Sequence, residues 1–117
     1  MTSLLILVIL PSFPVNAFKP ETFTVLFKRR DLGFIRSLRD LNGFEVVNFI
    51  RHPATVSLLS EKLGLKLEPS SELYEYKPGD HIFIVTLKRP ERGKEVKRIS
   101  EKDLLVYEAI VTPGSWL

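Results

Sequence analysis

The chain has no cysteine and only two histidines, His52 and His81, among its 117 residues. The missing thiols exclude a disulfide scaffold, a zinc ribbon and a cysteine nucleophile. Two histidines are too few for a multi-histidine metal site within one chain, so we expect neither a metal nor another cofactor. Hydrophobic runs are short as well. The longest, residues 4–10, has seven residues, whereas a membrane-spanning helix needs about 20, so we expect no contact with a membrane.

Apolar residues nevertheless make up 44% of the chain, and the mean hydropathy is +0.07. This composition is too hydrophobic for a disordered protein. A chain of 117 residues is long enough to bury one core and too short for two. We therefore interpret residues 1–117 as a single folded domain.

Positive charge is concentrated in residues 88–102, a stretch that we call the basic segment. It holds seven basic and three acidic residues and so has a net charge of +4, while the rest of the chain sums to −1. A basic segment on a nearly neutral body indicates an anionic partner, and phosphate is the first candidate. The alternative is a solvated, charge-rich loop that binds nothing.

The apolar run at residues 4–10 has two interpretations. Val15-Asn16-Ala17 resembles a signal-peptidase site, which would make the run part of a secretion signal. However, no Lys or Arg precedes the run, and a continuous series of Leu, Ile and Val is equally typical of a strand buried on both faces. We favour the buried strand, which Pro11 would end, and with it an intracellular protein that is not secreted.

Apolar patterns predict five strands along the chain and one further stretch of less certain type. The strands are expected at residues 4–10, 22–27, 73–76, 81–87 and 104–111, and residues 44–50 form either a short strand or an extended lead-in. Turns are predicted at Pro78-Gly79-Asp80 and, with a cap, at Ser100. We expect His81, which begins a strand after a turn, to be structural.

Two helices are marked by their start and stop residues. Asp31 can cap the first, which Gly43 ends, and Pro53 suits the first position of the second, which Gly64 ends. The apolar positions of the first helix follow helical spacing at Phe34, Ile35, Leu38 and Leu41. Strands and helices intermix without strict alternation, so the predicted fold is α+β, with a mixed sheet of about five strands and two main helices.

His52 is the residue whose setting best suits chemistry. An imidazole at a helix N-terminus lies at the positive end of the helix dipole, where backbone N–H groups attract phosphate. Arg51 precedes it, and the hydroxyl of Thr55 lies one turn into the same helix. Together these groups predict a phosphate site with a proton donor or acceptor inside it. The alternative is a surface histidine that serves only as a helix cap.

A second cluster, Lys88-Arg89-Pro90-Glu91-Arg92-Gly93, follows a strong strand. Arg89 could hold a phosphate with two hydrogen bonds, and Glu91 could position a base edge, a hydroxyl or His52. The alternative is an exposed hairpin with weak ion pairs of its own. The sequence contains no P-loop, no glycine fingerprint, no Ser-His-Asp grouping and no paired-carboxylate signature.

Several of these stretches together resemble a known family. They are Arg51-His52-Pro53-Ala54-Thr55, Leu58-Leu59, Leu63-Gly64, Pro78-Gly79-Asp80 and Arg89-Pro90-Glu91-Arg92-Gly93. The family is the small archaeal-virus α/β family that includes the viral ring nucleases, the anti-CRISPR proteins of type III systems. Its members have Gly-His-x-x-Thr at the start of a helix ending in Leu-Gly, then a Gly-Asp turn and a Gln-Arg-Leu-Pro-Glu-Gly-like loop. The spacing fits without gaps up to Asp80, and the later loop has one residue fewer.

The resemblance implies a homodimer that binds cyclic tetra-adenylate across its interface and cuts it without metal, with no duplex DNA as partner. By the same resemblance His52 is the general acid, Arg89 the phosphate clamp and Glu91 a positioning residue. The remaining ligand contacts would come from Arg51, Thr55, Lys88, Arg92, Ser70 and Ser71.

Besides the loop, in which Pro90 directly follows Arg89 and Arg92 directly precedes Gly93, this chain departs from the family pattern at three places. Arg51 stands where the family has Gly, Ser70-Ser71 stand where it commonly has Asn-Arg, and Asn16 and Ser12 both compete for the place of an amino-terminal Asn. A second hypothesis therefore stands beside the enzyme: a non-catalytic binder of a cyclic oligonucleotide, an RNA or a host protein on the same fold.

Overall fold

The predicted α+β class is confirmed by a computed structural model, which describes residues 6–18, 23–77, 79–88 and 99–113 and, for Asn42 and Pro113, the backbone alone. One domain contains a five-stranded sheet and two helices. The elements are β1 (Ile6–Leu10), β2 (Phe23–Arg30), α1 (Leu32–Asn42), β3 (Glu45–Asn48), α2 (Pro53–Leu63), β4 (His81–Leu87) and β5 (Leu104–Pro113). Short 3₁₀ turns at Val15–Ala17 and Glu101–Asp103 complete the described part.

The sheet is mixed, with strand order β2-β5-β4-β1-β3. Strand β1, next to the edge strand β3, runs parallel to both of its neighbours, β3 and β4. Strand β5 is antiparallel to β4 and to the edge strand β2. Because β1, β3 and β4 run the same way, their last residues, Leu10, Asn48 and Leu87, lie towards one end of the sheet. We call this end the carboxyl edge.

Strand β1 is buried on both faces, as its continuous apolar sequence predicted. Leu7 and Ile9 pack with α1 and α2 on one side, which we call the helix face. Val8 and Leu10 point to the opposite face, where they pack against Phe18 and the chain around it. All four residues are at most 3% exposed. Successive side chains of a strand point to opposite faces of the sheet. Because both faces are covered here, every residue of the strand is buried, which accounts for the run of Leu, Ile and Val.

Both helices begin and end where the sequence predicted. At α1 the Asp31 carboxylate accepts a hydrogen bond of 2.8 Å from the backbone N–H of Phe34, and Gly43 ends the helix with a φ of 64°. That angle is open to glycine and costly for other residues. Ile35 is fully buried under the sheet, whereas Leu41, in the last turn, is exposed.

The prediction of a strand at Leu73–Tyr76 is wrong. Residues 66–77 are irregular chain that pairs with no strand of the sheet. The alternation that suggested a strand is real, because Tyr74 and Tyr76 pack on the opposite face while Leu73 is 93% exposed. The segment lacks only the backbone hydrogen bonds to a neighbouring strand. Instead, the Tyr76 N–H donates to the Ala17 carbonyl and joins the segment to the 3₁₀ turn. The fifth strand is β3, which lies within residues 44–50, where the sequence indicated either a short strand or an extended lead-in.

The predicted turn before β4 is present at Gly79 and Asp80, while Pro78 lies outside the described residues. Asp80 accepts hydrogen bonds from the Tyr74 hydroxyl at 2.6 Å and from the Lys77 backbone at 3.2 Å. Burial raises the pKa of Tyr74 well above its ordinary value, and the hydrogen bond to Asp80 adds to the rise. The Tyr74 hydroxyl therefore keeps its proton and fixes the turn.

A buried carboxylate holds the antiparallel half of the sheet. Glu108 on β5 is 6% exposed, and its two oxygens contact Arg30 Nε at 3.0 Å and His81 Nε2 at 2.5 Å. Arg30 also lies over the ring of Phe34, 4.3 Å from its centroid. Burying a carboxylate is costly unless charged partners surround it. The cluster joins β2, β5, β4 and α1, which agrees with the structural role expected of His81.

Among the residues described, no helix is long and apolar enough to cross a lipid bilayer.

Replacing Glu108 by glutamine should lower the free energy of unfolding by about 2 kcal/mol, because Arg30 and His81 lose the charge that they share. Urea denaturation of the variant and the native chain measures the difference. Glu45→Gln, at an exposed position of β3, is the matched control and should change the stability by less than about 0.5 kcal/mol. Equal losses in the two variants would contradict the assigned role.

Candidate functional site

The carboxyl edge contains the point where two parallel neighbours leave the sheet in opposite directions. After β1 the chain turns to the opposite face, where Ala17 and Phe18 are buried. After β3 it turns to the helix face, where α2 packs. Open sheets with parallel strands commonly bind ligands at such a divergence, so the ends of β1 and β3 are the candidate site. Ser12, just beyond β1, is exposed at this edge.

His52 lies at this edge of the sheet as the N-cap of α2. Its Nδ1 accepts a hydrogen bond from the backbone N–H of Thr55 at 3.4 Å, and the same nitrogen lies 2.7 Å from the Thr55 hydroxyl. Pro53 fills the first helical position, and Gly64 ends the helix with a φ of 66°. The ring is half-buried and its orientation is set by Thr55. The sequence predicted this cap position.

The N-terminus of α2 offers fewer backbone N–H groups to a phosphate than the sequence suggested. Pro53 has no N–H group, the N–H of Thr55 is given to His52, and that of Val56 donates to the His52 carbonyl. The helix therefore contributes mainly the positive end of its dipole. Thr55 itself is 4% exposed, so its hydroxyl faces His52. Arg51, next to the cap, is exposed.

Asn48, which the sequence analysis missed, holds the entrance to α2 in place. Its side-chain amide donates to the carbonyls of Ile50 at 3.2 Å and Glu68 at 2.9 Å, and its oxygen accepts from the Ile50 N–H at 3.0 Å. One side chain thus joins the residues before α2 to those after it. The sequence signal that could have identified it is an Asn between a short strand and a helix, because an Asn side chain often forms a hydrogen bond with the backbone two residues further along the chain.

The same arrangement brings Ser70 to the site. The Ser70 N–H donates to the Ile50 carbonyl at 2.9 Å, two residues before His52, and the Ser70 hydroxyl accepts from the Glu72 N–H at 3.2 Å. Ser71 follows as an exposed residue. The structure therefore gathers His52, Thr55, Arg51 and Ser70 at one place.

The ends of the basic segment are fixed at the carboxyl edge. The Lys88 N–H donates to the Asp103 carbonyl at 2.9 Å, and Ile99, Ser100 and Asp103 line a groove against the first turns of α2. Lys88 is exposed at the end of β4. The predicted site residues Arg89, Glu91 and Arg92 lie outside the described residues.

Ser100 begins the capped turn that the sequence predicted. The Asp103 carboxylate accepts from the Ser100 N–H at 2.8 Å and from the Ser100 hydroxyl at 3.1 Å. These bonds, the backbone one first, lower the pKa of Asp103 below its ordinary value.

In the part of the chain that the structure describes, no three side chains of His, Cys, Asp or Glu lie close enough together to hold a metal ion.

Fold and site together define a small α+β protein whose polar candidate site lies at the parallel end of a mixed sheet. The chain belongs to the STIV B116-like family, whose model matches residues 13–110; this is a family of archaeal-virus proteins. Among solved structures it is similar to B116 of Sulfolobus turreted icosahedral virus, with a TM-score of 0.66 and 22% sequence identity over 89% of this chain and 97% of that one. That likeness shows the shared fold. The curated proteins contain no match.

Asn48→Ala should loosen the entrance to α2 without unfolding the sheet, because it removes three hydrogen bonds made by one side chain. We expect the amide hydrogens of Ile50 and Ser70 to exchange about ten times faster, which corresponds to roughly 1.4 kcal/mol. Amide exchange followed by NMR measures this, with Phe83 in β4 as the internal reference. Unchanged exchange at Ile50 and Ser70 would contradict the role of Asn48.

The capping carboxylate of Asp103 makes a pH-dependent contribution to stability. Since its folded-state pKa is lowered, the contribution is present above the ordinary pKa of an aspartate, about 3.9, and is lost as the pH falls through the folded value. Thermal unfolding should show that native chain and Asp103→Asn differ in Tm near neutral pH and converge in acid. A Tm difference that persists unchanged in acid would refute this linkage.

Proposed function

We propose that this chain is a metal-independent ring nuclease that cleaves cyclic tetra-adenylate and serves as an anti-CRISPR protein against type III systems. The observation that carries the proposal is His52, which caps α2 at the carboxyl edge of the sheet with its Nδ1 held by Thr55. Family membership and the sequence resemblance around this residue support the choice of substrate.

Charge at the carboxyl edge suits a phosphodiester ligand. Arg51 and Lys88 are exposed there, and the basic segment that begins at Lys88 has a net charge of +4. The dipole of α2 adds positive potential at the same end of the sheet. These groups would bind the phosphates of the ring and stabilise the negative charge that builds up on the phosphorus in the transition state.

The reaction needs one proton donor and no metal. The 2′-hydroxyl of a ribose attacks the adjacent phosphorus and loses its proton to solvent, forming the 2′-oxygen–phosphorus bond. The bond from phosphorus to the 5′-oxygen breaks, and His52 protonates that oxygen as it leaves. The product end is a 2′,3′-cyclic phosphate.

Symmetry favours a homodimer as the active form. A ring of four identical nucleotides has a two-fold axis, so two copies of one chain can present the same residues to opposite phosphates. Each copy would supply one His52. Gel filtration with light scattering tests the dimer independently of activity.

A non-catalytic binder on the same fold is the second candidate function. Ser70, whose N–H donates to the Ile50 carbonyl, and Ser71 stand where the resembling family commonly has Asn-Arg. The loss of that arginine at Ser71 removes a cation from the ligand site. Binding without cleavage would then depend on Arg51 and the basic segment, and its affinity would fall steeply with salt.

His52→Asn should abolish cleavage, with a loss of at least about a hundredfold in kcat. Asparagine is itself a good helix cap, so α2 should be preserved and the affinity for the ring should stay within a fewfold of native. Cyclic tetra-adenylate is incubated with each protein, with and without EDTA, and the products are separated by chromatography. Lys66→Gln, an exposed change beyond α2, is the control and should cleave normally.

Conversion that resists EDTA in the native chain and disappears in His52→Asn is the result expected of a ring nuclease. Full turnover by His52→Asn would overturn the assignment. An intact ring that stays bound to the native chain would favour the binder.

A further inference from the structure

The hydrogen bonds around His52 assign a chemical state to each ring nitrogen. A backbone N–H can only donate a hydrogen bond, and the N–H of Thr55 points at Nδ1. Nδ1 must therefore present its lone pair in this arrangement. A neutral imidazole carries one proton, so that proton resides on Nε2, the nitrogen that lies on the far side of the ring from Thr55.

The Thr55 hydroxyl differs from the Thr55 N–H in one important respect. A hydroxyl both donates and accepts, whereas the N–H can serve Nδ1 only while the ring is neutral. At 2.7 Å from Nδ1, the hydroxyl can donate to the neutral ring and accept from Nδ1–H once the ring is charged. Nδ1 thus keeps a partner through a full cycle of proton loss and uptake.

Burial restricts the Thr55 hydroxyl to one position. Thr55 is 4% exposed, and its branched side chain on a helix has few rotamers available. Its hydroxyl is held near His52 by the packing of α2 on the helix face. A residue in this position orients the ring without touching a ligand.

We infer that Thr55 is a positioning residue that holds Nδ1 of His52 in both charge states, so that Nε2 is the atom that delivers the proton. The inference rests on the proposed function for the identity of the proton acceptor, the departing 5′-oxygen. The assignment of the ring nitrogens and of Thr55 rests on the hydrogen bonds alone.

The nitrogen states can be read directly by NMR. Long-range proton–nitrogen correlation of the full chain, labelled with nitrogen-15 in histidine and measured where the rings are neutral, distinguishes a protonated nitrogen from an acceptor. Loss of one set of signals in His52→Asn identifies those of His52. We expect a protonated Nε2 and an acceptor Nδ1. A protonated Nδ1 would overturn the inference.

Two substitutions then separate positioning from packing. Thr55→Val keeps the shape and the backbone N–H but removes the hydroxyl, and Thr55→Ser keeps the hydroxyl. We expect kcat for cyclic tetra-adenylate to fall about tenfold or more in Thr55→Val, since the ring loses orientation, while KM stays within twofold. Thr55→Ser should restore most of kcat. Thr55→Val loses the 2.7 Å contact and keeps the longer bond of 3.4 Å from the backbone N–H, so the preference for a protonated Nε2 should weaken and the ring-nitrogen signals should move towards averaged values.

The outcomes distinguish this inference from the proposed function. If the native chain does not cleave the ring but its NMR signals are as expected, the substrate is wrong and the Thr55 assignment stands. If the native chain cleaves and Thr55→Val matches it in kcat and in ring-nitrogen signals, the Thr55 assignment is wrong and the ring nuclease stands. Circular dichroism checks that both variants are folded, and loss of kcat in both variants alike would also refute the inference.

Discussion

The amide side chain of Asn48 is the constraint on which the candidate site depends. Parallel strands end at a common edge, but nothing in the ladder itself determines how the chain proceeds from β3 into α2. Asn48 settles this with hydrogen bonds to Ile50 on one side and Glu68 on the other. The direction of α2, the place of its cap and the approach of Ser70 all follow from those bonds.

The polar groups of the two halves of the sheet differ in exposure. In the antiparallel half, Glu108 is enclosed by Arg30 and His81. At the carboxyl edge, Arg51 and Lys88 are exposed, and His52 uses Nδ1 for the cap, while in the proposed function Nε2 supplies the proton. The two histidines of the chain therefore differ in their settings: His81 is bonded to the buried Glu108, whereas His52 is bonded to Thr55 at the start of a helix.

Much of the fold could be predicted from the sequence because its signals are local. Caps at Asp31 and His52, glycines at the helix ends and the doubly buried run of β1 each act through a few neighbouring residues. The error at Leu73–Tyr76 has a physical cause: alternation reports which side chains are covered, and a segment can be covered without pairing. Asn48 and Glu108 could not be assigned in advance, because their partners are distant in sequence, Glu68 for one and Arg30 and His81 for the other.

The hydrogen bond between Lys88 and Asp103 closes the chain at the base of the basic segment. Strands β4 and β5 are aligned by their own ladder and by this closure. The entropy of closing a loop grows only slowly with its length. A longer or shorter connection between Lys88 and Ile99 would therefore cost the pairing of β4 with β5 little free energy.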